Sequence, residues 1–544
     1  MKKILNRILS LAMLLLVSIA TMADGRQATG YRNPILYADV PDVSLVHVGK
    51  YYYMVSTTMH LMPGCPVMRS KDLKTWQTVS YVFPRIDDAG RYSLIDSTAY
   101  GQGQWASSIR YHKGRFYVWF TANGSPYKGF IYTAKKAEGP WTLVARPPHF
   151  HDGSLFFDDD DRVYMFHGTG HLTELTPDLQ GVKKGGIDQQ IFERDKDEQG
   201  LLEGSSVIKH NGKYYLCMIS MDWSIPGRVR REVCYRADKI TGPYEKHIIL
   251  ETPFEEFGGV GQGCLVPGDG GEWWAVIFQD RGGVGRVPCL MPMTWKDGWP
   301  MCGDANGKVP NDLSVPYQDM SGICGSDDFS SKKLKLYWQW NHNPIDEAWS
   351  LTERRGFLRL KTARVVPNLF VAPNTISERM PGPASTGTVK LDVSNMRDGD
   401  VCGLAAFNGL SGELAILRTA TGYMLQQVAD TALFKEPGHA IAGNHRTVLA
   451  EVPLDLSTVS TQHASLHQYV WLRCHADFRH GHDLATFAYS TDGKTFHSIG
   501  QPVKTVFNYR QMFMGSRYAI FNYATRQTGG YVDVDSFDLQ TDRK

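Results

Sequence analysis

The sequence has no long hydrophobic run, no paired-cysteine motif and no excess of charge of one sign. The most apolar segment, Ile8–Ala20, has about thirteen residues, whereas a membrane-spanning helix needs roughly 20. The nine cysteines form no Cys-x-x-Cys pair and show no zinc-ligand spacing with histidine. The 58 basic and 56 acidic residues leave a formal net charge of +2. These absences argue against a transmembrane segment, a zinc ribbon and a nucleic-acid partner.

The first residues predict export. Lys2 and Lys3 precede the apolar segment and small residues at Ala20–Ala23 follow it, which is the pattern of a cleaved signal peptide over residues 1–24. No cysteine precedes Cys65, so a lipid anchor at the cleavage site is not indicated. The mature chain is therefore expected to be secreted or periplasmic. Because its cysteines are odd in number, at least one is unpaired within the chain, and their apolar surroundings predict buried thiols.

The composition favours strands and turns. Of the 544 residues, 42% are hydrophobic and 12% aromatic, with 53 glycines and 27 prolines. A disordered chain, a coiled coil and a collagen-like repeat are thereby excluded. The length predicts two domains, each of which buries its own core.

A short pattern recurs five times in the first 310 residues, at steps of 47 to 65 residues. A turn residue and a polar residue precede a run of aromatic and β-branched residues: Gly49–Val55, Gly114–Val118, Asp161–Met165, Gly212–Leu216 and Gly271–Ala275. Each run reads as the second strand of a hairpin. Turns followed by Trp76, Trp141 and Tyr244 predict an outer hairpin after most copies. The repeat predicts an all-β fold with a five-bladed β-propeller over residues 30–310, and a long sandwich is the alternative.

One residue stands at the same place ahead of each repeat, ten or twelve positions before its central aromatic: Asp42, Trp105, Asp152, Glu203 and Gln262. Because the innermost strands of a propeller run along its axis, these positions are expected to converge on one mouth. Crowded carboxylates raise one another's pKa, so three of them at one mouth need a chemical reason. Glycoside hydrolysis supplies one, since it uses a protonated acid, an ionised base and an apolar face for the sugar. The alternative is that each acid merely forms a turn before its strand.

Several separated motifs across residues 30–310 resemble glycoside hydrolase family 43: Asn33–Ser44, Trp105–Tyr111, Asp152–Asp159, Glu203–Ser205, Gly285–Arg286 and Trp295–Pro300. The resemblance implies a five-bladed propeller that cleaves with inversion. It also implies release of L-arabinofuranose or D-xylose from plant polysaccharides.

Carried over by position, Asp42 matches the family's general base and Glu203 its general acid. Asp152 matches the aspartate that tunes the pKa of the acid. For inversion, the Asp42 and Glu203 carboxyl groups are expected roughly 6.5–9.5 Å apart. Asp39, three residues before Asp42, is an alternative base.

Other positions are predicted to contact the sugar. Trp105 matches a sugar-facing aromatic and Arg286 a substrate-binding arginine of the family. Gln262 stands in a segment where many members have a histidine near an axial metal or water cluster, so an axial calcium is not supported. His60 belongs to a loop, Thr57–Gly64, that either walls the pocket or packs against the next blade. His60 and His151 are candidates for hydrogen bonds to sugar hydroxyls, or are satisfied structural residues.

The repeat ends near residue 310. Residues 311–325 read as a linker, and alternating segments over residues 326–544 predict a β-sandwich that resembles the concanavalin-like domain of many family members. By that resemblance, Asp328 and Asp535 are candidates for a structural calcium, although the chemistry itself requires no cofactor. Residues 338–340 are expected either to buttress the propeller or to wall its pocket.

The leading hypothesis is an inverting exo-glycosidase that releases terminal or branch α-L-arabinofuranose. The expected partners are plant-derived glycans that contain arabinose or xylose. A β-xylosidase with the same carboxylates is the close alternative. A non-catalytic glycan-binding propeller is the third.

Overall fold

The computed structural model describes residues 30–224, 230–435, 440–456, 459–460 and 466–544. The predicted signal peptide, residues 1–24, lies outside this range. Strands dominate in these ranges, and the helices described there are five short 3-10 turns at Gly90–Ser93, Lys196–Glu198, Gly282–Val284, Asp346–Ala348 and Leu369–Val371. Within the described residues, no helix has the length and hydropathy to cross a bilayer.

Five antiparallel sheets form the blades of a β-propeller. The first two consist of Ser44–Val48, Tyr51–Val55, Gly64–Ser70 and Gln77–Phe83, and of Gly103–His112, Arg115–Asn123, Lys128–Ala134 and Thr142–Ala145. The next two consist of Ser154–Phe157, Val163–His167, His171–Leu175 and Asp188–Gln190, and of Leu201–His210, Lys213–Met221, Arg231–Ala237 and Glu245–Glu251. The fifth has five strands, Pro253–Phe254, Phe257–Pro267, Trp273–Asp280, Arg286–Lys296 and Trp299–Cys302. All five repeats form the second strand of the main hairpin of their blade, which confirms the propeller.

The ring of blades closes through the segment before the first blade. The Asn33 side chain donates to the Leu290 carbonyl (2.7 Å) and accepts from the Leu290 amide (2.9 Å). The Val40 amide donates to the Arg286 carbonyl at 2.9 Å. Leu290 and Arg286 belong to the fifth blade, so its outer half is tied to the start of the first.

Serines on the innermost strands link three successive pairs of blades. In each pair, a backbone amide of the next blade donates to the serine hydroxyl at 3.2 Å, and the bonds join Ile109 to Ser44, Leu155 to Ser108 and Val207 to Ser154. These serines follow the residues that head blades one, two and three. The ties therefore hold the mouth of the axis at a fixed width.

Two larger sheets form the second domain, a β-sandwich. One sheet contains, in spatial order, Leu61–Met62, Gln339–Asn341, Ile376–Arg379, Arg517–Ala524, Asp400–Phe407, Leu410–Thr419, Gly422–Phe434 and Ile441–Leu454. The other contains Trp349–Ser350, Leu358–Lys361, Tyr531–Asp542, Ala384–Asp392, Tyr469–Asp477, Leu484–Ser490 and His497–Ser498, with Val503–Lys504 beside Leu484–Ser490. A short separate pair consists of Val459–Ser460 and Leu466–His467. The predicted sandwich domain is therefore present.

The two domains share a strand. Leu61 and Met62 lie in the loop within the first blade, but they pair with Asn341 and Trp340 of the sandwich. The Gln339 amide also donates to the Pro63 carbonyl at 2.8 Å. This loop and the 338–340 segment thus buttress the propeller rather than wall the pocket.

All nine cysteines are free thiols and all are buried. This confirms their interpretation as small hydrophobic residues. Burial raises the pKa of Cys65 and Cys289 to about 12, so these thiols stay protonated at neutral pH.

A buried carboxyl group in the sandwich makes the stability of that domain depend on pH. Glu413 is 1% exposed, and burial, reinforced by the charge of Asp430, raises its pKa to about 8. Between pH 5 and 8 the folded state keeps this proton and the unfolded chain loses it, so the free energy of unfolding falls as the pH rises. Glutamine has the shape of the neutral acid but does not titrate, so we expect Glu413→Gln to stabilise the protein by about 3 kcal/mol more at pH 8 than at pH 5.

Guanidinium unfolding at the two pH values measures this difference. The exposed Glu347 supplies a matched control, since Glu347→Gln should leave the pH dependence as it is. An equal change for Glu413→Gln at both pH values would contradict the prediction.

Candidate active site

The backbone at the mouth of the axis turns or bulges at the five residues that stand ahead of the repeats. These heading residues are Asp42, Trp105, Asp152, Glu203 and Gln262. Asp42 and Asp152 lie two residues before their strands, with φ of +52° and +47°. Trp105 and Gln262 lie in β-bulges of their strands, and a third bulge follows Glu203. A bulge re-aims side chains without ending the strand. Each of the five therefore lies before, within or directly ahead of a break in regular strand pairing.

One pocket lies at this mouth and takes its lining from all five blades. Its wall consists of Asp42, Asp152 and Gln262 with small residues, namely Val43, Ser44, Ala106, Ser107, Ser108, Gly153, Ser154, Gly204, Ser205, Ser206 and Gly263. Glu203 lies beside this pocket, next to Asp152: His151 Nε2 lies 3.2 Å from Glu203 Oε2 and 3.9 Å from Asp152 Oδ2. The three predicted carboxylates are thus brought together.

Gly204 is required at its position for two reasons. Its φ is +69°, which glycine adopts without strain. A Cβ added there would lie 2.6 Å from Cγ of Gln262. Its amide also donates to Asp152 Oδ2 at 3.1 Å, which fixes the orientation of that carboxyl group beside Glu203.

The electrostatics of the site centre on Asp152 and His151. Burial raises the pKa of Asp152 to about 7, and the charges of Glu203 and Asp42 act in the same direction, against His151. The charge of Asp152, followed by the hydrogen bond to Glu203, raises the pKa of His151 to about 9. At neutral pH the imidazole is therefore cationic and lies between the two carboxyl groups.

Asp42 has a different partner. Arg286 Nη1 donates to Asp42 Oδ1 at 2.9 Å, and both side chains are buried, at 3% and 8% exposure. This contact is a buried, charge-assisted hydrogen bond. Asp42 and Glu203 are therefore held in different environments, as a base and an acid require.

Asp39 accepts hydrogen bonds from two backbone amides, one in each domain. One of its oxygens accepts from the Arg286 amide and the other from the Gly515 amide, each at 2.8 Å. Because Gly515 belongs to the sandwich, Asp39 connects the two domains behind Arg286. Asp39 does not line the axial pocket.

The sandwich domain adds Phe513 to the site. Its carbonyl accepts from Arg286 Nη2 at 3.3 Å, and its ring centroid lies 4.2 Å from the guanidinium carbon. The ring also meets Trp105 edge-on at 5.5 Å. No local signal marked Phe513 in the sequence, since it lies more than 200 residues from any propeller motif. Trp105 itself is half-buried, and its Nε1 donates to the Gly101 carbonyl at 3.0 Å.

Glu232 was also missed by the sequence reasoning. It is 1% exposed and accepts from the Gln262 amide at 2.7 Å, and burial raises its pKa to about 8. It supports the backbone that presents Gln262. An isolated acid in an apolar strand, Arg231–Ala237, was the only available signal.

The predicted role of His60 in sugar binding is wrong. His60 has no exposed surface, and its Nε2 lies 3.1 Å from Asn341 Oδ1 at the domain interface. Its ring packs 4.7 Å from both Tyr100 and His342. The loop that carries it turns toward the sandwich because Leu61 and Met62 complete that sheet.

The pairing of Asp328 with Asp535 at a calcium ion is also not supported. The exposed Asp328 accepts from the Ser330 amide (3.1 Å) and hydroxyl (2.7 Å) in a turn. Asp535 forms an ion pair with Lys390 at 2.6 Å. Each carboxylate is engaged by a different local partner. Within the described residues, the one group of three close metal-binding side chains is His151, Asp152 and Glu203, whose ligand atoms all lie within 4.8 Å of one another.

Replacing Phe513 tests how much the sandwich domain contributes to catalytic efficiency. We expect Phe513→Ala to lower kcat/KM about tenfold, mostly through KM, because the aromatic contacts with Arg286 and Trp105 are worth about 1–2 kcal/mol. Steady-state kinetics measure the change. Tyr509→Ala, which removes an exposed ring 6.3 Å from Phe513, should cost clearly less. Equal losses in the two variants would contradict a specific role for Phe513.

Carboxyl groups gathered at the mouth of a propeller are typical of a glycoside hydrolase, which uses a pair of them as acid and base. The model of glycosyl hydrolases family 43 matches residues 31–300, and that of the β-xylosidase C-terminal concanavalin A-like domain matches residues 326–540. The chain belongs to glycoside hydrolase family 43.

Relatives of this chain are named as β-xylosidases or as arabinofuranosidases. A β-xylosidase of Formosa agariphila is 28% identical, over 95% of this chain and 92% of its own. A non-reducing end α-L-arabinofuranosidase of Bacteroides ovatus is 31% identical, over 69% of this chain and 73% of its own.

A solved structure with the same architecture is a bifunctional GH43-CE protein of Bacteroides eggerthii, with 39% identity and a TM-score of 0.84. The match covers 95% of this chain but only 64% of that longer protein.

Proposed function

We propose that this chain hydrolyses the glycosidic bond of a terminal pentose in plant cell-wall glycans, with inversion at the anomeric carbon. The observation that carries the proposal is the convergence of Asp42, Asp152 and Glu203 on one axial pocket. On one side of the mouth, Arg286 contacts Asp42 and Phe513 contacts Trp105, and this closed side supports a terminal sugar over an internal one.

Each carboxyl group has one role in this proposal. Glu203 donates a proton to the leaving oxygen, and Asp42 accepts a proton from the attacking water. Asp152, whose carboxyl group is oriented by the Gly204 amide, lies beside Glu203 and takes the family's modulating role toward the acid. Trp105 offers the sugar an apolar face, and Gln262 and Arg286 offer polar groups at the pocket. No cofactor takes part in these steps.

Both pentoses have support as the substrate. The name of the Formosa agariphila relative, the longer match, supports β-D-xylose. The name of the Bacteroides ovatus relative supports α-L-arabinofuranose, which the sequence reasoning favoured. We place β-D-xylosides first, because that relative matches over both domains.

Rates on 4-nitrophenyl β-D-xylopyranoside and 4-nitrophenyl α-L-arabinofuranoside test the assignment. Proton NMR of the first-formed sugar should show the inverted anomer, and a retained anomer would overturn the mechanism. Turnover of neither pentoside, together with measurable binding of xylo- or arabino-oligosaccharides, would instead support a glycan-binding propeller. We also propose export of the chain, on the pattern of residues 1–24, which cleavage of that segment on secretion would test.

A further inference from the structure

His151 is a feature of the site that the proposed hydrolysis does not use. Its Nε2 lies 3.2 Å from Glu203 Oε2 and 3.9 Å from Asp152 Oδ2. All three ligand atoms lie within 4.8 Å of one another. Ligand atoms around a tetrahedral zinc ion, at bond lengths of about 2.0–2.2 Å, are about 3.3–3.6 Å apart. The separations therefore have to shrink by no more than about 1.5 Å for this set to reach coordination distance.

We propose that His151, Asp152 and Glu203 form a binding site for a divalent ion of the zinc class, and that its occupation blocks the pocket. The ligand set would be one imidazole nitrogen and two carboxylate oxygens, and the proton that His151 carries at neutral pH would be released to solvent as the ion binds. Three protein ligands leave a fourth position for water, as in zinc sites that open to a cleft.

The donor set decides between classes of metal. Imidazole suits zinc, copper and nickel, whereas calcium takes six to eight oxygen ligands and magnesium keeps several waters. The small pocket supplies only two carboxylates at this point. Zn²⁺ is therefore expected to bind, and Ca²⁺ and Mg²⁺ are not.

The surroundings support a stable arrangement. Asp152 is 7% exposed, and the Gly204 amide already orients its carboxylate. A hydrogen bond of this kind to a ligating carboxylate typically strengthens a metal site. Glu203 and His151 are about one-third exposed, so an ion can reach them from the mouth.

The functional consequence rests on the proposed function. A metal bound to Glu203 occupies the carboxylate oxygen that would otherwise carry the acid proton, and it lies where the sugar binds. Zn²⁺ is thus expected to inhibit hydrolysis competitively with the pentoside, and EDTA is expected to restore the rate.

Binding is measured first, without reference to activity, by calorimetric titration of the purified full chain with ZnCl2 and with CaCl2. His151→Phe removes one ligand and should weaken zinc binding at least about 100-fold. His149→Phe is the matched control, because His149 lies two residues away against Tyr127 and outside the cluster. Zinc binding should survive in that variant.

The outcomes are distinct. Absence of zinc binding at millimolar concentration, or equal loss in both histidine variants, overturns the site. Binding that depends on His151 without inhibition of an active enzyme overturns the proposed blockage. A chain that binds zinc through His151 but hydrolyses no pentoside upholds the metal site and contradicts the proposed function instead. An anomalous peak at the zinc edge, between these three side chains, would place the ion directly.

Discussion

Replacing Glu203 by glutamine is expected to lower kcat on xylo- or arabino-oligosaccharides by about 10³-fold. Glutamine has nearly the same shape but has no acidic proton to give to the leaving oxygen. A 4-nitrophenolate leaving group departs without protonation, so the loss on 4-nitrophenyl pentosides should be much smaller. This dependence on the leaving group identifies the acid, and rates on the two substrate types measure it.

Glu245→Gln provides the matched control. Glu245 is exposed on the outer strand of the same blade, where it pairs with Arg236. Its replacement should change neither rate. Equal rates for Glu203→Gln and the unmodified enzyme on oligosaccharides would remove Glu203 from the role of acid.

Replacing Asp42 by asparagine is expected to lower kcat by about 10³- to 10⁴-fold on every substrate, whatever the leaving group. Water must be deprotonated in each turnover, and the neutral amide cannot accept that proton. The change also removes the negative partner of the buried Arg286, so the variant should be less stable by about 3 kcal/mol. Kinetics and thermal unfolding of the same preparation separate the two effects.

Asp39→Asn distinguishes the two candidate bases. Asp39 accepts from the amides of Arg286 and Gly515, and an asparagine NH2 would face one of those donors. We expect a stability cost of about 1–3 kcal/mol and only a moderate loss of rate. A folded Asp39→Asn enzyme as inactive as Asp42→Asn would make Asp39 the base.

The candidate carboxylates could be located from the sequence because the blades repeat in phase. Asp42, Asp152 and Glu203 are separated by more than 50 residues in each case, yet each holds the same place in its repeat. In a propeller, equivalent positions of the repeats lie close together around the central axis. The hydrogen bonds between blades, such as Ile109 to Ser44, are consistent with such in-phase stacking.

Predictions outside the repeat had no such constraint. His60 was assigned to the pocket from its nearness in sequence, but its loop completes a sheet of the sandwich. Asp328 and Asp535 were paired by resemblance alone, and each has a local partner.

The sequence by itself determined the all-β class, the five blades, the buried thiols and the three acids that meet at the axis. Local periodicity and turn chemistry specify these features, because they depend on hydrogen bonds within one hairpin and on the repetition of that hairpin. Only the tertiary structure decided that Phe513 closes on Arg286, that Asp39 joins the two domains and that His151 lies between Asp152 and Glu203. Those contacts depend on how two independently patterned domains pack and on rotamers within a few ångströms, and no period in the chain encodes either.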